Sequence, residues 1–138
     1  MHIAITGSTF KHNTADYGGV VYAQLSNATI NFSSIDHNSA KSSGGTVFAS
    51  NGSFISIYAG TFFNSATEGN GGVMALLQSS NMNVGSSSFT SNRAGSNGGV
   101  IFLHDSSIRV FMSTFHLSKA GTYIWRSSAC NKWYSQDQ

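Results

Sequence analysis

Of the 138 residues, 62 are Ser (25), Gly (15), Asn (12) or Thr (10), Pro is absent, and charged residues make up 9% with a formal net charge of +2. Five Leu exclude most helical bundles, and 40% hydrophobic residues are too many for the disorder that such a polar composition otherwise suggests. The seven Lys and Arg are scattered singly, which excludes a phosphate-tracking stripe or a basic membrane helix, so no nucleic-acid partner is expected.

The chain opens on alternating apolar residues, Ile3 and Ile5, followed by a small residue at Ser8, Phe10, Asn13 and the pair Gly18-Gly19. An apolar run, Val20-Val21-Tyr22-Ala23, comes next. The same order then repeats. Gly-Gly pairs recur at Gly44-Gly45, Gly71-Gly72 and Gly98-Gly99, spaced 26, 27 and 27 residues apart. The Phe10 position returns as Ile35, Phe62, Phe89 and Phe115. Five residues before it stand Ile5, Ile30, Ile57, Val84 and Val110, and seven before it Ile3, Ala28, Ile55, Met82 and Ile108, two columns that must point inward.

A period held this tightly marks a solenoid in which each repeat buries its apolar face against its neighbours. Period-two patterning makes its elements strands, and three families are visible per repeat: the Ile/Val segment, the Phe/Ile segment and the run after Gly-Gly. Stacked about 4.8 Å apart, they predict an all-β, right-handed single-stranded parallel β-helix of four to five coils. A Leu lattice is missing, which sets leucine-rich repeats aside, and five acids are too few for a calcium-binding nonapeptide helix. The repeats occupy residues 1–122. Residues 123–138, with Trp125, Cys130 and Trp133, lose the pattern and are expected to form an irregular tail.

The first 25 residues lack the charged and apolar regions of a signal peptide, and no window approaches the 18 apolar residues of a membrane span, so no membrane insertion by this chain is expected. Starting inside a patterned segment, the chain reads as a fragment of a longer protein. Its partners are then neighbouring coils of that parent chain, or other copies bound through open coil ends.

Gly-Gly-[Val/Thr] elements alternating with Phe10 to Asn13, Ile35 to Asn38 and Phe89 to Asn92 resemble the GGAI and FxxN repeats of the polymorphic outer membrane protein family. The resemblance covers residues 3 to 120. It implies an adhesin-like β-helix of the pectin-lyase-like class, extracellular or on the cell surface, with a protein receptor or a polysaccharide as partner. Departures are Ser65 in place of Asn after Phe62, and Ser118 after Phe115 with no Gly-Gly beyond. For the residues themselves the expected role is structural. A Gly pair turns the backbone or lets coils approach, and Asn13, Asn38 and Asn92 should stack and bond the bend backbone.

Catalysis on such a fold needs carboxylates converging on one groove. Register instead sets Asp36 beside Lys11, and Lys41 between Asp16 and Glu68, so opposite charges alternate. His12 and His37 share a column that continues as Asn64 and Ser91, too few ligands for a metal. Thr9, Ser34, Thr61, Ser88 and Thr114 form an outward hydroxyl row. No catalytic residue, metal or cofactor is therefore assigned. The expectation is a non-catalytic β-helix fragment serving as a rigid spacer or adhesive surface; the alternative is a fragment of a polysaccharide-cleaving lyase or hydrolase.

Overall fold

Strands that alternate apolar and polar side chains bury one face and expose the other, and parallel stacking in register brings like residues into continuous columns. The computed structural model describes residues 1–119 and the backbone of residues 124–127. Among these it is all strand and bend, a parallel β-solenoid with no helix. The first sheet joins His2–Thr6, Asn27–Asn31, Phe54–Tyr58, Asn81–Gly85 and Ser107–Phe111. The second joins Thr9–Lys11, Ser34–Asp36, Thr61–Phe63, Ser88–Thr90 and Thr114–His116. Thr14–Tyr17, Ser39–Ser43, Ala66–Thr67 and Arg93–Ala94 form the third. The fourth holds Val21–Gln24, Val47–Ser50, Met74–Leu77, Ile101–His104 and Ile124–Ser127.

Each coil thus carries four strands where the sequence predicts three. The strands of the third sheet are short and point only small side chains inward: Ala40, Thr67 and Ala94 are buried and Ala15 half-buried. Such a strand contributes little apolar area, so it leaves no hydrophobic alternation to read. The shorter first repeat is absorbed in the same sheet, where pairing shifts between Ala15 and Tyr17.

Inside, Ile5, Ile30, Ile57, Val84 and Val110 pair in unbroken register. All but the half-buried Ile5 are buried. Beside them Phe62, Phe89 and Phe115 form a stack, with ring centroids 4.8 and 4.9 Å apart and planes within 11° and 8°. Two apolar columns from the first sheet, one from the second and two from the fourth fill the core, so every coil meets its neighbours with similar shapes. Trp133 and Cys130, assigned above to the tail, lie outside the described residues, while Ile124–Ser127 pair with Ile101–His104.

Corners between the sheets are made by single residues in the left-handed region. His12, His37, Asn64, Ser91 and Leu117 have φ between 51° and 56°, and Phe32, Ala59, Ser86 and Met112 occupy the equivalent place after the first sheet. For a residue with a Cβ this costs about 1–2 kcal/mol, which the flanking ladder must offset.

Candidate functional site

The FxxN corner is built from its Asn. Asn38 and Asn92 are fully buried. Asn38 Oδ1 accepts from the backbone N–H and side-chain amide of Asn13, both at 2.9 Å, and Asn38 Nδ2 donates to the Phe10 carbonyl at 3.0 Å. Asn92 makes the matching bonds two coils on: Oδ1 accepts from the Ser65 N–H at 2.9 Å and Nδ2 donates to the Phe62 carbonyl at 3.2 Å. Each amide therefore ties two coils, its oxygen meeting a corner N–H and its NH₂ adding a second donor to a strand carbonyl.

Where Ser65 replaces Asn, its hydroxyl meets the Thr46 hydroxyl at 2.9 Å, both residues being fully buried. Thr46 is itself the departure from Val in the Gly-Gly-Val element, the other coils having Val20, Val73 and Val100 there. The two irregularities of the repeat are thus one compensated pair.

At the Gly-Gly corner the two residues have separate tasks. The first of each pair, Gly18, Gly44, Gly71 and Gly98, has φ between 57° and 71°. The second is a close approach: a Cβ on Gly72 would fall inside the Gly99 carbonyl oxygen and the Arg93 backbone. Gly19 and Gly45 face the next coil in the same way, and Gly99 faces the Lys119 backbone.

Two serine ladders complete the frame. One runs through Ser8, Ser33, Gly60, Ser87 and Ser113, with the Ser33, Ser87 and Ser113 hydroxyls each accepting from the corner N–H of the coil before, as at Gly60 N to Ser87 Oγ, 3.1 Å. The other, Ser26, Ser53, Ser80 and Ser106, escapes the sequence reading, although its 27-, 27- and 26-residue spacing was available to find it.

The lateral faces differ in chemistry. On the second sheet Lys11 Nζ pairs with Asp36 at 3.8 Å, and Asp36 also meets His37 Nδ1 at 2.5 Å. His37 Nε2 accepts from the Asn64 amide at 3.1 Å, which leaves the ring proton on Nδ1 facing Asp36. His12 lies over His37, ring centroids 5.1 Å apart. The hydroxyl row Thr9, Ser34, Thr61, Ser88 and Thr114 flanks these charges in register. Lys41 and Asp16 stand 4.0 Å apart on the third sheet. The fourth sheet turns Tyr22 and Phe48 outward, stacked at 5.4 Å, and Tyr17 at the end of the third sheet packs on Phe48 at 4.8 Å. On the first sheet Phe54, Tyr58 and Phe111 stand 39%, 44% and 42% exposed among Asn and Ser. Among the described residues no three His, Cys, Asp or Glu side chains gather into a metal-binding group.

Residues 86–103 match the family model of the Chlamydia polymorphic membrane protein repeat. This segment is similar to a polymorphic membrane protein repeat. The matched segment runs from the corner at Ser86 through Phe89 and Asn92 to Gly98, Gly99 and the strand Ile101–His104, so its motif residues are the ones that stack and turn the coil. Phe89 pairs with Phe62 and Phe115, and Ile101 with Met74, which sets the matched segment in register with the coils on either side. No curated protein and no solved structure matches the chain.

Proposed function

We propose that this chain is a surface-displayed segment of β-solenoid, outside the cell, whose lateral faces are an adhesive surface carried on a rigid rod. The observation that carries this reading is the polymorphic membrane protein repeat at residues 86–103 set in register within the solenoid. Its motif residues are consumed by the frame, since Asn92 and the Gly pair bond or abut backbone on both sides. Recognition then falls to outward residues between the corners, which vary from coil to coil while the frame repeats. Stacking on neighbouring coils of a parent chain extends the same rod.

Beads coated with the chain and presented to cultured epithelial cells and to bacterial cells test the reading. Saturable adhesion to one class, competed by soluble chain, is expected. Adhesion no greater than that of beads coated with the denatured chain overturns it.

A further inference from the structure

The outer face of the first sheet differs from those of the second and third, which carry Asp36 and Asp16, and from the aromatic fourth. Its outward residues form three columns along the solenoid axis: His2, Asn27, Phe54, Asn81 and Ser107; then Ala4, Thr29, Ser56, Asn83 and Arg109; then Thr6, Asn31, Tyr58, Gly85 and Phe111. No carboxylate stands in any of them. The described acids lie elsewhere, Asp16 on the third sheet, Asp36 on the second, and Glu68 and Asp105 beyond strand ends. Between the first two columns a hollow of about 330 Å³ is lined by Phe54, Asn81, Asn83, Ser107 and Arg109.

Three properties of this hollow specify an occupant. The Phe54 ring lies 39% exposed at its edge, a flat apolar platform. The amides have unused capacity: Asn81 Oδ1 accepts from the Ser107 hydroxyl, which turns its NH₂ group away, and the Asn83 side chain bonds to none of the described residues. Arg109 is exposed and has no ion pair among the described residues, whereas Lys11 and Lys41 each face an Asp. An aromatic face, uncommitted amides and a free guanidinium fork match the apolar ring face, the vicinal hydroxyls and the acid group of a charged sugar. A protein partner of stable size wants a contiguous apolar centre, and the exposed aromatic of this hollow, Phe54, is set apart from Tyr58 by Ser56 and from the Phe111 ring, which lies over Gly85, by the Asn83 column.

We propose that this face binds a linear anionic glycan laid along the solenoid axis. One sugar ring stacks on Phe54, the Asn81 and Asn83 amides take ring hydroxyls, and Arg109 holds the anionic group. Coils about 4.8 Å apart repeat on the scale of a sugar ring, and Asn27 stands in the column of Phe54 and Asn81 for a further unit. The inference rests on the adhesive reading above and names its ligand class.

The test is calorimetric titration of the full chain with a mannuronate tetrasaccharide and with sulfated cellotetraose, the two sources of the anion. Saturable binding of either is expected, weakened at least tenfold by Arg109→Gln and by Phe54→Ala. Lys41→Gln, on the third sheet, leaves it unchanged. The carboxyl-reduced mannuronate tetrasaccharide binds at least tenfold more weakly than its parent if the carboxylate is the anion, and unsulfated cellotetraose likewise if it is the sulfate. Failure of both glycans to bind folded chain, or binding indifferent to Arg109→Gln and Phe54→Ala, overturns the proposal. Bead adhesion separates it from the reading beneath: beads that adhere while neither glycan binds refute the glycan alone, and glycan binding without adhesion refutes the adhesive role alone.

Discussion

The Asn corner and the Gly-Gly corner turn the same coil, yet one is held by a side chain and the other by the lack of one. At the Asn corner the coils are joined by an amide reaching between backbone groups, as Asn92 does between Ser65 and Phe62. Because the requirement there is a set of hydrogen bonds, a different residue can meet part of it, and Ser65 does so with Thr46 as its partner. At the Gly-Gly corner the requirement is empty space beside a neighbouring backbone, and no side chain supplies that. The repeat is accordingly irregular at the first corner and invariant over four coils at the second.

The sharpest way to break this comparison is Gly72→Ala. Its methyl would collide with backbone on the adjacent coil, where nothing flexible can yield, so a loss above about 4 kcal/mol is expected, seen as loss of the cooperative urea transition. A stable variant would remove the distinction between the corners. Asn92→Ala should cost about 2–3 kcal/mol, because the Ser65 N–H is left unpaired in the interior, and Asn92→Ser should cost less; urea midpoints rank the two.

Compensation at the irregular corner is open to a double-mutant cycle. Thr46→Val alone strands the buried Ser65 hydroxyl and should cost about 1–3 kcal/mol, and adding Ser65→Ala should recover most of it, since removing both partners leaves no unmet polar group. Additive losses would mean that the two irregularities are independent. The smallest effect, with the opposite sign, belongs to a corner that has neither device. Leu25 has φ 49° and is 76% exposed, so Leu25→Asn should raise stability by less than about 1 kcal/mol, read as a slightly higher melting temperature.

The period, the inward columns and the parallel stacking were legible because Ile57, Phe89 and their equivalents recur with the same spacing and carry the apolar signal. The third sheet was hidden because Ala40, Thr67 and Ala94 mark an inward position by being small, a signal that abundant Ser, Thr and Ala mask. The left-handed corners were hidden too. Phe32, Met112 and Leu117 adopt that conformation although nothing in their chemistry favours it; the strands on either side impose it. For the outer face of the first sheet, Phe54, Asn83 and Arg109 were all in view, but each belongs to a different coil, and only the pairing register sets them around one hollow.

The serine ladders have a direction. Ser8, Ser26, Ser53, Gly60, Ser80 and Ser87 each send a backbone N–H to a serine hydroxyl of the following coil, whereas the Asn97 N–H donates back to Asn70 Oδ1 of the preceding one. Such a coil is complete on its upstream side before its downstream neighbour arrives, and keeps buried donors waiting until it does. A chain emerging from its amino end would therefore add each coil onto a template whose serine corners still hold N–H groups for the next hydroxyl to meet.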